Sequence, residues 1–142
     1  MITHNLQTCE FGFHDITAQV DLEVRRSGIR DGLCTVFCPH TTAAITINEN
    51  ADPDVQRDLK LALGDLFGRS DRPEFRHAEG NSHAHLKSSI IGPCEIIPIS
   101  GGRLALGTWQ GIYFCEFDGP RNRRFHVQLV ECADCASTIP AV

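Results

Sequence analysis

The sequence lacks any apolar run approaching the roughly 18 residues of a membrane-crossing helix, and Met1 to Phe13 (MITHNLQTCEFGF) has neither the basic start nor the apolar stretch of an export signal. Both absences lead to the expectation of a cytoplasmic protein with no membrane partner. Positive charge is also short: 13 Lys and Arg stand against 18 Asp and Glu, a net charge of −5. Sequence-independent nucleic-acid binding needs a basic face that releases counterions, so nucleic acid is not an expected partner. No internal repeat, low-complexity tract or linker interrupts the 142 residues, and the length suits one domain, 1–142, with a single core.

Cysteine is not scarce, but its seven copies are an odd number, with no export signal to bring them to an oxidising compartment. Reduced thiols are expected. Cys34/Cys38 and Cys132/Cys135 do not match in spacing, as the two halves of a structural zinc site usually do, so buried small hydrophobes are the favoured reading. A chain this size needs neither disulfide nor metal to fold, and any metal would serve function first.

The periodicities predict more strand than helix. Asp15 to Val24 (DITAQVDLEV) alternates apolar and polar residues and predicts a strand with one wet face. Leu33 to Cys38 is apolar on both faces, as a central strand would be. Ala43 to Ile47 predicts another strand, with Asn48, Glu49 and Asn50 as its polar exit. Asp52, followed by Pro53 and Asp54, is a helix start, and the helical spacing of Val55, Leu59, Ala62, Leu63, Leu66 and Phe67 carries that helix to the stop at Gly68. Asn81 opens a shorter helix through Ile91, ended by Gly92-Pro93. Strands then follow from Cys94 to Cys132, with a hairpin at Gly101-Gly102 and a turn at Asp118-Gly119-Pro120. The fold class is α+β, a single domain with two helices, and the tail from Ala133 is peripheral.

Chemistry-bearing side chains gather in two windows, His40 to Asp54 and His77 to Lys87, which hold four of the seven histidines. The helix between them is expected to return the chain to the same end of the fold. Neutral imidazoles suit zinc and related metals, and three with an open fourth position form a catalytic zinc site. His83 and His85, two residues apart, would point about 200° apart on a helix, so at most one can serve such a site. His4 and His14 are assigned structural roles. Glu49 and Asp52 are the acid/base candidates, although capping alone explains Asp52 and a solvated loop explains Glu49. Arg121, Arg123 and Arg124 suit a small phosphate or carboxylate ligand, or else charge protection of a strand edge. Trp109 and Gln110, between Gly107 and Gly111, could stack on and hydrogen-bond a flat ligand, or Trp109 could belong to the core.

Three of these segments, HTTAAITINENADPDV (His40 to Val55), EGNSHAHLKSSIIG (Glu79 to Gly92) and GTWQGIYFCEFDGPR (Gly107 to Arg121), resemble the YjbQ-like family, to which secondary thiamine-phosphate synthase activity is attributed. The resemblance covers nearly the whole chain. It implies a sandwich or barrel-like β core flanked by helices, assembly as a homotrimer, and a pocket completed by neighbouring subunits. It also implies a metal pocket at His40, His77 and His85, catalytic roles for Glu49 and Asp52, and substrate contacts from Asn50, Trp109, Gln110 and Arg121. The implied reaction joins a pyrimidine diphosphate to a thiazole phosphate and releases pyrophosphate. Magnesium usually assists diphosphate departure, whereas three histidines suit zinc. A zinc-dependent hydrolase of a small phosphorylated or carbonyl substrate is therefore one alternative, and a non-catalytic module binding a metal or small anion is another.

Overall fold

A computed structural model describes residues 1–132, so Cys135 and the rest of the tail lie outside the described residues. The elements are β1 (Ile2–Gln7), β2 (Gly12–Asp15), α1 (Thr17–Ser27), β3 (Gly32–Phe37), β4 (Ala43–Glu49), α2 (Pro53–Phe67), α3 (Ser82–Ile91), β5 (Cys94–Ser100), β6 (Arg103–Leu104), β7 (Gln110–Glu116) and β8 (Asn122–Glu131). They form two antiparallel sheets, one of five strands in the order β1-β8-β3-β5-β6 and one of three in the order β2-β7-β4. The expected α+β class holds, with three helices among the described residues rather than two. No helix among the described residues is long and apolar enough to cross a membrane.

The segment read as a strand from Asp15 to Val24 is β2's last residue followed by α1. Ile16, Val20 and Val24, all fully buried, recur every four residues, and that spacing satisfies a helix as well as a two-residue alternation. Two local features decide for the helix. The Asp15 carboxylate accepts from the Thr17 amide at 2.9 Å, and Gly28 ends the helix in the left-handed conformation at φ 73°.

The main core lies between the sheets: Cys34, Val36, Ile97, Phe125 and Val127 meet Ala43, Ile45, Ile112 and Phe114, and α1 adds its buried stripe. The other face of the small sheet, at Ala44, Tyr113, Cys115 and Phe117, is covered by Leu63 of α2 and by Ala84 and Ile91 of α3. β7 is thus the strand buried on both faces. β3, expected to be so, has only one covered face. On its other side Leu33 and Phe37 are 41% exposed, beside exposed Ile96 and Val130 of the neighbouring strands. Cys34 and Cys38 are buried free thiols pushed up to about 11 by that burial, so they act as small hydrophobes.

A buried ion pair ties the layers together where β7 ends. Arg123 donates through Nε to Glu116 Oε2 at 2.7 Å and through Nη2 to Oε1 at 2.6 Å, and Glu116 has no exposed surface. Thr8, just beyond β1, donates to Oε2 at 2.7 Å, and the Phe117 and Asp118 amides donate to Oε1. Arg123 also donates to Thr42 Oγ1 at 2.9 Å, fixing the approach to β4. Burial by itself would raise the Glu116 pKa, but the hydrogen bonds from Arg123, Thr8 and the Asp118 amide outweigh it and hold the carboxyl below its ordinary value.

Breaking such a pair leaves a buried charge uncompensated. Arg123→Met should therefore lower the unfolding free energy by roughly 3–5 kcal/mol, read from the urea midpoint at unchanged slope; a loss under about 1 kcal/mol would mean the pair is not structural. The depressed pKa of Glu116 means that its contribution is fully present above the unfolded value of about 4.3 and is lost as pH falls through the folded value. The urea midpoint should fall across that acid window in the parent chain, and fall less steeply in Glu116→Gln.

Candidate functional site

The two sequence windows converge only in part. β4 runs through the first of them: its seven residues span about 20 Å, so that His40, before its first residue, meets the second window at His85, while Glu49, at its last, lies at the far end. Each end carries its own cluster.

At the Glu49 end, Asn50 lies at the centre of a knot. Its amide donates to Asp15 Oδ2 at 2.9 Å, its carbonyl oxygen lies 2.8 Å from the Tyr113 hydroxyl, and its backbone N–H donates to the Trp109 carbonyl. Gln56 of α2 donates to the Tyr113 oxygen at 2.6 Å. Gly111 makes room for this knot, because a Cβ there would meet Asn50 side-chain atoms at 2.8 Å. Asn50, expected to bind substrate, thus has both ends of its amide engaged inside the protein. Asp52 accepts from the Asp54 amide at 2.9 Å and caps α2, while Gln110 closes its own turn by accepting from the Gly107 amide at 2.7 Å. Trp109 is not a core residue: it is 64% exposed. Glu49 is half-buried, and its carboxylate has no hydrogen-bond or ion-pair partner among the described residues.

At the opposite end, the His85 and His77 rings meet edge to face with centroids 5.2 Å apart. His85 and half-buried His40 line one depression of about 600 Å³ beside Thr41 and Ser88. Ser88 of α3 donates to the Thr41 carbonyl, joining helix to strand approach. His40 Nε2 accepts from the Arg124 amide at 3.1 Å. A neutral imidazole accepting at one nitrogen carries its proton on the other, so His40 in this arrangement offers no lone pair to an ion. Burial, helped by the Arg123 charge, pushes the His40 pKa down and favours that neutral form. Among the described residues no three His, Cys, Asp or Glu side chains are grouped to hold a metal. The three expected ligands therefore do not fit a common ion within one chain, although His77 and His85 are adjacent.

Arg121 does not present a free guanidinium: its Nε donates to the Asp118 carbonyl at 2.7 Å and its Nη2 to Asp118 Oδ2 at 2.8 Å. The HAH pair behaves as helical geometry requires. His85 faces His77, while His83 turns to the other side, where Asp71 Oδ1 lies 3.1 Å from its Nδ1. Asp71 also accepts from the Ser82 and His83 amides, taking the capping role expected of Asn81. These bonds, against the opposing effect of desolvation, hold its carboxyl down at about 2. His83 and Lys87, four residues apart on α3, together with Arg57, Lys60 and Arg69, line a second and larger cleft of about 740 Å³. The i, i+4 placement of a histidine and a lysine was readable in the sequence; the burial of Lys87 was not.

The family model described as "UPF0047 protein YjbQ-like" matches residues 3–132. Relatives include UPF0047 protein YugU of Bacillus subtilis, 48% identical over 82% of this chain and 87% of that protein, and UPF0047 protein MJ1081 of Methanocaldococcus jannaschii, 48% identical over 82% and 83%. A crystal structure of an uncharacterised YjbQ/UPF0047 protein from Clostridium acetobutylicum superposes with a TM-score of 0.88 at 52% identity, covering 92% of this chain and all of that one. A YbjQ-like protein of unknown function from Sulfolobus solfataricus gives 0.87 at 33% identity, covering 92% and 96%. The sequence resemblance and the fold agree, and the chain belongs to the YjbQ-like UPF0047 family.

Proposed function

We propose that this protein is a small-molecule enzyme acting on a phosphorylated substrate as a homotrimer, with the thiamine-phosphate synthase-like transfer that the family resemblance implies. The observation that carries this reading is the Glu49 carboxylate, half-buried and without a partner among the described residues, paired across the sheet with Gln110 next to exposed Trp109. A carboxylate so placed is available to take or give a proton at the reacting group. Asp52 and Asn50 support it from behind, one by starting α2 and the other by fixing β4 against Tyr113.

Assembly is proposed on two grounds. Leu33, Phe37, Ile96 and Val130 leave the outer face of the five-stranded sheet apolar and open, and such a patch marks an interface. In a cyclic trimer, moreover, each contact joins two different patches of the same chain, so opposite ends of β4 from neighbouring subunits can form one site. A divalent ion is part of the proposal on donor type alone: the imidazoles of His77 and His85 suit zinc. No step is assigned to it, since His40 is engaged by Arg124.

Purified protein incubated with the pyrimidine diphosphate and the thiazole phosphate should release pyrophosphate and form thiamine phosphate in equal amounts. Glu49→Gln should lower kcat at least about 100-fold with the urea midpoint unchanged. Pyrophosphate without the joined product would replace the transferase reading with hydrolysis, and turnover undiminished in Glu49→Gln would remove Glu49 from the chemistry. Light scattering should give a particle of three 15.7-kDa chains, and Phe37→Glu should dissociate it; a monomeric parent would defeat the shared-site reading. Elemental analysis should find zinc in the parent and none in His85→Ala.

A further inference from the structure

We infer that the cleft between α2, α3 and the β1–β2 connection binds the phosphate or diphosphate group of a small molecule. This rests on the reading that the substrate is phosphorylated, and moves its anion away from Arg121, whose guanidinium Asp118 already occupies.

The walls of the cleft concentrate positive charge in a chain of net charge −5. Arg57 and Lys60 lie three residues apart on one face of α2, Arg69 follows the helix, and Lys87 comes from α3. Lys87 decides the argument. It is 1% exposed and donates to the Gly68 carbonyl at 2.6 Å, and no carboxylate pairs with it among the described residues. An ammonium has three N–H donors, so two are left over at the edge of the cleft. Buried cations are ordinarily paired, because a desolvated charge without a counterion is costly. Burial and the nearby Arg69 guanidinium push its pKa down, so the two cations feel each other.

The surroundings are built to hold these cations in place. The Lys60 and Lys87 ammonium groups lie 5.4 and 5.1 Å from the centre of the Phe11 ring. Arg69 packs across Gly64, where a Cβ would come within 3.1 Å of its Nε. Glycine inside a helix costs about 1 kcal/mol relative to alanine, and here it gives Arg69 its position. His83 faces the same cleft with its Nδ1 fixed by Asp71. Two carboxylates also line it. Asp118 is bonded to Arg121 and Asn81, and Arg57 is paired on the surface with Asp58 at 3.2 Å, which leaves Glu10 to oppose Lys60, Arg69 and Lys87. A diphosphate, with charge spread over several oxygens, matches cations that surround a cleft of about 740 Å³ rather than a single point.

The test is calorimetric titration of the whole purified protein with inorganic pyrophosphate. The parent should bind it, more weakly as salt rises. Lys87→Met and the exposed double variant Lys60→Gln/Arg69→Gln should each weaken binding at least ten-fold, while Arg103→Gln, on β6, should leave it unchanged. The double variant keeps the test decisive if Lys87→Met does not fold. No binding by the parent, or equal binding by the double variant, would overturn the inference. Turnover of the thiamine precursors with pyrophosphate affinity unaltered in the cleft variants would reject the cleft and leave the proposed enzyme standing. Weakened binding in the variants with no turnover by the parent would do the reverse.

Discussion

The pair between Arg123 and Glu116 is the interaction on which the other features depend. One carboxylate without exposed surface gathers donors from Thr8, Arg123 and the turn after β7, and through Arg123 it also holds Thr42. Those contacts join the large sheet, the small sheet and the β1–β2 connection at one point. They set where the His40 segment enters β4, and hence where Ser88 and α3 dock against Thr41. The site chemistry at that end is therefore positioned by a charge pair rather than by apolar packing alone. A pair of this kind stabilises only while both members are present, and it fixes a unique register at the cost of desolvating two charges.

Much of the fold was legible because local rules and tertiary packing agree. Asp52-Pro53 and Gly68 bound α2 where capping and backbone freedom require, and Gly101-Gly102, both at positive φ, make the expected hairpin. α1 was not legible as a helix, since residues spaced by four satisfy either period and its start depends on a side chain outside the helix. The two-sided burial assigned to β3 belongs to β7. Apolar composition says that a face can be covered, and only the arrangement of layers says which face is. The open side of β3 is the consequence, and it is where a neighbouring chain is proposed to sit.

Candidate residues could be named from the sequence, but neither their grouping nor their engagement in structure could. His85 and His77 meet as the family resemblance implies, and Trp109 stands exposed. Several residues with chemical potential prove to be engaged in structure: Asn50 in the Tyr113 knot, Asp52 in capping α2, Arg121 with Asp118 and His40 with the Arg124 amide. A sequence gives residue types and spacing, but whether a polar group is satisfied depends on partners far along the chain, such as Asp15 for Asn50, 35 residues away. The reverse holds for Lys87. Its position in HAHLK was plain, while its burial beside Arg69 without an acid follows only from how α2 and α3 pack.

Two clusters of polar side chains lie at opposite ends of β4, and the proposed shared site requires neighbouring subunits to bring them together. The direct measurement is a dipolar distance in mixed oligomers, with one spin label at position 49 on some chains and one at position 85 on others. A shared site requires a separation between chains shorter than the run of about 20 Å along β4. Distances only longer than that run, or no coupling between chains at all, would contradict it.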